Sequence, residues 1–257
     1  TLRARGAGPA DAALADTLAR RARAAYAVGV RHPGPCQGAP GRAPYFYEEE
    51  SWADDMELGA AALGALTRER AYLQDALAWA AREPVTGWMG ADTARHYEFY
   101  PFHNAGHHEA FAQFDPRHDA MARRTLARHY ADGLQRVADR ATNGFRIGIP
   151  FIWCSSDLVV SYATQAALWR RMTGSARYRA HEQAAIDWLF GANPWGTSLV
   201  IGIPRDGVWP RHPHSQLPDS LLHGLTGGLV DGPVYRTIYE SQRGVRLTGA
   251  DRFAAFN

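Results

Sequence analysis

The 257-residue sequence predicts an all-α protein assembled from antiparallel helical hairpins. Three observations carry this expectation. Apolar residues recur at helical spacing along most of the chain. Only two short segments, 145–152 and 197–204, have the β-branched, turn-bounded character of strands. Two helix junctions also repeat each other: Thr67-Arg68-Glu69-Arg70-Ala71-Tyr72 and Thr173-Gly174-Ser175-Ala176-Arg177-Tyr178 each cross a tight turn from a threonine to a tyrosine. Thr248-Gly249 with Phe253 gives a third echo. Hairpins recurring about every 50 residues are the grain of an α/α toroid or a solenoid, whereas the known short repeats have smaller periods and uniform loops.

The elements follow in order. Residues 11–31 open on Asp11 as N-cap and stop at His32-Pro33-Gly34. Residues 51–66 open on Ser51-Trp52-Ala53-Asp54, which fits a capping box, with Trp52, Met56, Ala60 and Leu63 forming one apolar stripe. A helix over 69–82 comes after a short break. A short helix is expected over 103–114, and Asp115-Pro116 reads as N-cap and first-turn proline of a helix over 116–140. The last two, 156–172 and 176–191, follow Ser155 and Ser175 and stop at Thr173-Gly174 and before Asn193-Pro194. The remaining connections, 32–50, 83–102, 141–154 and 193–218, are long and rich in Pro, Gly and aromatics. Long loops gathered at one end of a helical barrel favour an enzyme over a scaffold.

Composition narrows the function classes. The chain is 46% hydrophobic, enough for a sizeable core, and no apolar run is long enough to cross a membrane. All 28 basic residues are arginine, but they are spread among 26 acidic ones, so no nucleic-acid partner is expected. Cys36 and Cys154 form neither a disulfide framework nor a zinc spacing. Residues 1–10 lack an initiator Met, an apolar targeting segment and a cleavage site, so the chain reads as a mature form or an excised piece.

Candidate chemistry lies on the long loops. The 83–102 connection runs into Phe102-His103-Asn104, 141–154 carries Phe151-Ile152-Trp153, and 193–218 carries Trp195, Trp209, Arg211, His212, His214 and Gln216. Rings interleaved with His, Asn and Arg suit a sugar, whose C–H faces stack on aromatics while its hydroxyls need planar donors and acceptors. Any one ring alone reads as a core plug. No metal and no cofactor are expected: His212-Pro213-His214 lacks further ligands, and His103 with His107 is not a His-Glu-x-x-His motif. The acidic residues Glu48-Glu49-Glu50 and Asp54-Asp55 read as a solvated helix N-terminus. Gly227–Pro233 lacks the Lys-Ser/Thr of a phosphate loop.

The order of motifs resembles glycoside hydrolase family 9. Tyr47–Leu58 with the following helix is similar to the family's acidic Trp-Ala-Ala helix, and Phe102-His103-Asn104 to its Trp-Asp-Asp/Asn loop. Trp153 stands as in its Trp-Gly-Ser/Ala-Asn segment. Asp187–Gly202 (DWLFGANPWGTSLVIG) is close to its Leu-Gly-x-Asn-Pro string, Arg211–His214 to Arg-x-Pro-His, and Gly228–Pro233 to Gly-Ala-Leu-Val-Gly-Gly-Pro. The resemblance covers most of residues 45–233. It implies part of an (α/α)6 barrel that hydrolyses β-1,4-linked glucans or oligosaccharides with inversion, secreted or periplasmic. An inverting enzyme needs a carboxylic acid and a carboxylate base on opposite faces of the sugar. The family places these in Asp-Ala-Gly-Asp and Asn-Glu strings that do not occur here, and fewer helices are visible than six hairpins require. The chain is therefore expected to be a single, incomplete toroid domain (1–257), with little activity by itself.

By the same resemblance His214 is the active-site histidine beside the cleavage point, Phe102 and Trp153 are stacking platforms and Asn104 is a hydroxyl partner. Trp209, Arg211 and Gln216 complete the expected contacts. Ser215-Gln216 replaces the family's His-Arg, and His103 stands where a carboxylate is common. These departures weigh against polymeric cellulose and leave a short oligosaccharide or an amino sugar open. The rival readings are an α/α-toroid polysaccharide lyase, a non-catalytic sugar-binding remnant and a helical scaffold; the oligomeric state is not readable.

Overall fold

The computed structural model describes residues 8–34, 51–90, 103–210 and 225–241. Among them are α1 (Pro9–Arg31), α2 (Ala53–Thr67), α3 (Arg70–Ala80), α4 (Ala105–Gln113), α5 (Ala120–Arg140), α6 (Ser155–Thr173), α7 (Arg179–Leu189) and a short α8 (Arg236–Ser241).

The repeated junctions fold alike. At the end of α2, Arg68 takes the left-handed conformation (φ 62°) and returns its N–H to the Gly64 carbonyl at 2.8 Å. At the end of α6, Gly174 does the same (φ 71°) to Arg170, also at 2.8 Å. In each turn the threonine Oγ1 accepts an N–H two residues on, Glu69 for Thr67 and Ser175 for Thr173. A left-handed residue after the last turn satisfies a terminal carbonyl and reverses the chain, so α2/α3 and α6/α7 are antiparallel pairs.

Between hairpins the register is parallel. Glu57, near the start of α2, meets His107 in the first turn of α4, while Gln113 at the end of α4 donates to the Ala61 carbonyl of α2. Helices α2, α4 and α6 pack successively as an inner layer, with α3, α5 and α7 outside. The inner helices therefore begin at one end of the molecule. The described connection preceding α6, 141–154, runs to that end, and the tight turns of α2/α3 and α6/α7 lie at the other. The core between the layers holds Trp88, Tyr130, Leu126, Leu134, Ile152 and Leu158.

Four local expectations change. The Ser51 capping box does not form. Trp52 is the N-cap of α2 and makes no side-chain bond to its first turn, while the Glu83 carboxyl, from elsewhere in the chain, lies beside Ser51 and the Asp54 N–H. Helix α5 starts at Ala120 and not at Pro116, because the Asp115 carboxylate accepts the N–H groups of Arg117 and His118 and makes a turn of its own. Asp119, which precedes α5, is held by Arg70 of α3. The strand-like segments 145–152 and 197–204 are loops. Asn143 takes the Ile147 carbonyl and the N–H groups of Phe145 and Ile147, so that backbone has no need of a sheet. Val200 makes a single antiparallel bridge to Leu229. The solvated acidic face is corrected at Asp54, which is buried; Glu48–Glu50 lie outside the described residues. Among the described residues no helix is long and apolar enough to cross a membrane.

Candidate carbohydrate-binding site

Three strips meet where the inner helices begin. After α7, Asn193 shapes the first: its Nδ2 donates to the carbonyls of Trp188 (2.9 Å) and Thr197 (2.7 Å), and its Oδ1 accepts the Trp195 and Thr197 N–H groups. This is the work of the Asn in Gly191-Ala192-Asn193-Pro194. The second strip, 225–231, pairs with it through Ile201 N–H to Gly228 O and Val230 N–H to Leu199 O, both 2.9 Å. The third is the start of α6. Ser155 Oγ donates to Pro233 O at 2.6 Å, Ser156 N–H to Asp231 O at 3.0 Å, and Tyr235 N–H to Phe151 O at 2.7 Å.

Between these strips lies a largely apolar groove of about 460 Å³, lined by Trp195, Leu199, Val208, Trp209, Pro233 and Val234 among others. Trp195 is 55% exposed. Its ring meets Trp188 edge-on at 5.8 Å, and Trp188 is in turn stacked on Phe151 at 5.6 Å. The exposed indole is thus braced by the buried Trp188 and, behind it, the half-buried Phe151. An exposed ring fixed in this way offers a flat apolar face at little cost in side-chain entropy.

The expected site residues fall into three groups. Trp209 lines the groove, partly exposed. Trp153 and Asn104 sit at the starts of α6 and α4 but are only 4% and 1% exposed. Asn104 is fully engaged inside the protein: its Oδ1 accepts from Thr86, its Nδ2 donates to the Glu83 carbonyl at 2.6 Å, and its own carbonyl accepts the Tyr130 hydroxyl. Phe102, Arg211, His214 and Gln216 lie outside the described residues.

Two ionisable clusters at this end were not foreseen. The first is the Glu57–His107 pair, both fully buried. His107 Nδ1 lies 2.7–2.8 Å from the Glu57 oxygens, and its Nε2 lies 3.2 Å from the Pro84 carbonyl, which can only accept. The ring presents Nδ1 to the carboxylate and Nε2 to the Pro84 carbonyl, with the Asn104 amide 3.5 Å from the same nitrogen. His107 is thus turned inward to Glu57. Burial raises the Glu57 pKa, against the opposing pull of His107. The neighbouring His129, 5.1 Å away ring to ring, is pushed down to about 4 by burial and then by His107, and stays neutral.

The second cluster joins Cys154, which carries a free thiol, to Asp157 and Asp231, with one potential ligand atom from each lying within 4.8 Å of the others. Burial, and then the Asp231 charge, push Asp157 up to about 6. Burial and the two carboxylates push the thiol far up. A thiol with two carboxylates is a donor set that zinc accepts. No spacing along the chain signals this cluster, because Asp231 arrives from another strip.

Layered helical hairpins with an aromatic groove at the N-terminal end of the inner helices are the architecture of one part of an α/α toroid. The chain belongs to glycosyl hydrolase family 9, whose profile matches residues 4–253. Endoglucanase C of Cellulomonas fimi is 28% identical over 246 residues, covering 88% of this chain and 21% of that protein. Among solved structures, AaCel9A in complex with cellobiose-like isofagomine shares 23% identity at a TM-score of 0.69, over 95% of this chain and 46% of that one. A thermostable endoglucanase from Alicyclobacillus acidocaldarius shares 23% at 0.63, over 90% and 45%. The chain spans about a fifth of the curated relative's length and less than half of these structures. The helical layers are accordingly those of part of an (α/α)6 barrel.

Proposed function

We propose that these residues form one wall of the sugar-binding cleft of an inverting glycoside hydrolase acting on β-1,4-linked glucans or oligosaccharides. The observation that carries this reading is the braced, exposed Trp195 facing a groove shared with Trp209, at the end where the inner helices start. Family membership supports it, as do a relative named as an endoglucanase and a structural neighbour bound to a cellobiose-like isofagomine. In this reading Trp209 and Trp195 are the stacking platforms. His214, Arg211, Gln216 and Phe102 supply further contacts, and Trp153 and Asn104 hold the wall from within. Neither motif for the acid or the base occurs in the 257 residues, so the chain by itself binds sugar without turning it over. The family's extracellular habit extends to this protein under the same proposal.

Trp209→Ala and Trp195→Ala are each expected to weaken cello-oligosaccharide binding by about 1–3 kcal/mol, from lost stacking and apolar burial. Isothermal titration with cellotetraose measures this. Unchanged affinity in both variants would remove the groove from the sugar site.

A further inference from the structure

The wall of the groove turns its polar groups inward. Besides the two indoles, its described lining is Leu199, Val208, Val234, two prolines and Thr197, none of them charged. The backbone groups along it are engaged inside the protein. Asn193 Oδ1 takes the N–H groups of Trp195 and Thr197, while the Ser198 and Leu199 N–H groups donate to the Val208 and Leu189 carbonyls, both at 2.7 Å. The Thr197 carbonyl accepts from Asn193 Nδ2, and the Pro233 carbonyl from the Ser155 hydroxyl. Even the Thr197 hydroxyl, the one side-chain hydroxyl of the described lining, donates to the Trp195 carbonyl at 3.1 Å. The prolines have no N–H to offer.

That chemistry discriminates between ligands. A pyranose brings two apolar faces and a rim of hydroxyls. Trp195 can take a face, but a rim dehydrated against Leu199, Val208 and Val234 loses its hydrogen bonds to water and gains none. A planar aromatic group has no such rim. It gives up only apolar surface, and it adds ring–ring attraction to the indoles. We propose, resting on the sugar-cleft reading above, that this groove takes an aromatic aglycone, so that cello-oligosides carrying an aryl group at the reducing end are preferred over unsubstituted ones of the same length.

Two ligands of equal length test this: phenyl β-cellobioside, and cellotriose, in which a glucosyl unit replaces the phenyl ring. Isothermal titration of the 257-residue chain is expected to give a Kd about tenfold lower for the phenyl compound. Val208→Asn sets an amide on the wall at a side chain that is 66% exposed, which leaves the fold undisturbed. It is expected to cut the ratio to about threefold or less, by strengthening cellotriose and weakening the phenyl compound. Trp195→Ala should abolish the preference by removing the ring platform. Cellotriose bound as tightly as phenyl β-cellobioside, or more tightly, would overturn the aryl preference and leave the sugar cleft standing. So would a tenfold ratio kept in both variants, which would place the phenyl ring outside the groove. Binding of neither ligand would sink the sugar-cleft reading itself, and the aryl preference with it.

Discussion

Gly232→Ala is expected to destabilise the chain by about 3 kcal/mol or more, with the loss centred on the groove. Gly232 has φ 95°, a conformation that side chains rarely adopt, and a β-carbon there would strike the Ser155 and Ser156 hydroxyls and the Ser156 backbone nitrogen. The Ser156 hydroxyl has no partner and can turn away, but the Ser155 hydroxyl and the Ser156 backbone nitrogen cannot yield without breaking their bonds to the Pro233 and Asp231 carbonyls, which join the second strip to α6. Backbone strain and overpacking each contribute about 1–3 kcal/mol. Urea unfolding followed by tryptophan fluorescence measures the sum, and the groove indoles should report the loosened wall first. A loss below about 1 kcal/mol would mean that the strip slides to accept the methyl group and that the groove is not rigidly framed.

His107→Leu is expected to cost about 3–5 kcal/mol, because it leaves the Glu57 carboxyl wholly buried without its partner. Glu57→Leu alone should cost a similar amount by stranding the imidazole. Both groups are 0% exposed and no water reaches them to compensate. The double variant Glu57→Leu/His107→Leu removes both polar groups, so its loss should fall well short of the sum of the singles, with a coupling of about 1–3 kcal/mol. A double-mutant cycle in urea tests this, and strictly additive losses would show that the two side chains do not stabilise each other. The cycle also probes the site, since Pro84 is held by the same imidazole.

Much of the architecture was legible along the chain. Periodicity marked the helices to within a few residues, and the Thr67 and Thr173 junctions proved to be the same turn. Asn193-Pro194 and Gly228–Pro233 carried the family resemblance, and both strings turn out to shape the groove. Errors arose where a side chain chose between a local and a distant partner. Asp115 looked like a helix cap and made its own turn. Asp54 looked solvated and is buried, and Ser51 looked like a local cap although Trp52 takes the N-cap position. Trp195 was visible as a loop aromatic, but nothing in its neighbours' order showed that Trp188 and Phe151 would brace it.

The sequence by itself determined the helices, their tight reversals and the family, because these depend on spacing and on residues a few positions apart. Only the tertiary structure decided which polar groups went dry and which rings stayed wet. Burial is a property of distant segments meeting: Glu57 with His107, Asp54 with Glu83 and Cys154 with Asp231 are brought together by the packing of inner helices and strips. Once there, the low polarity of their surroundings, and not their own chemistry, fixes where their protons reside.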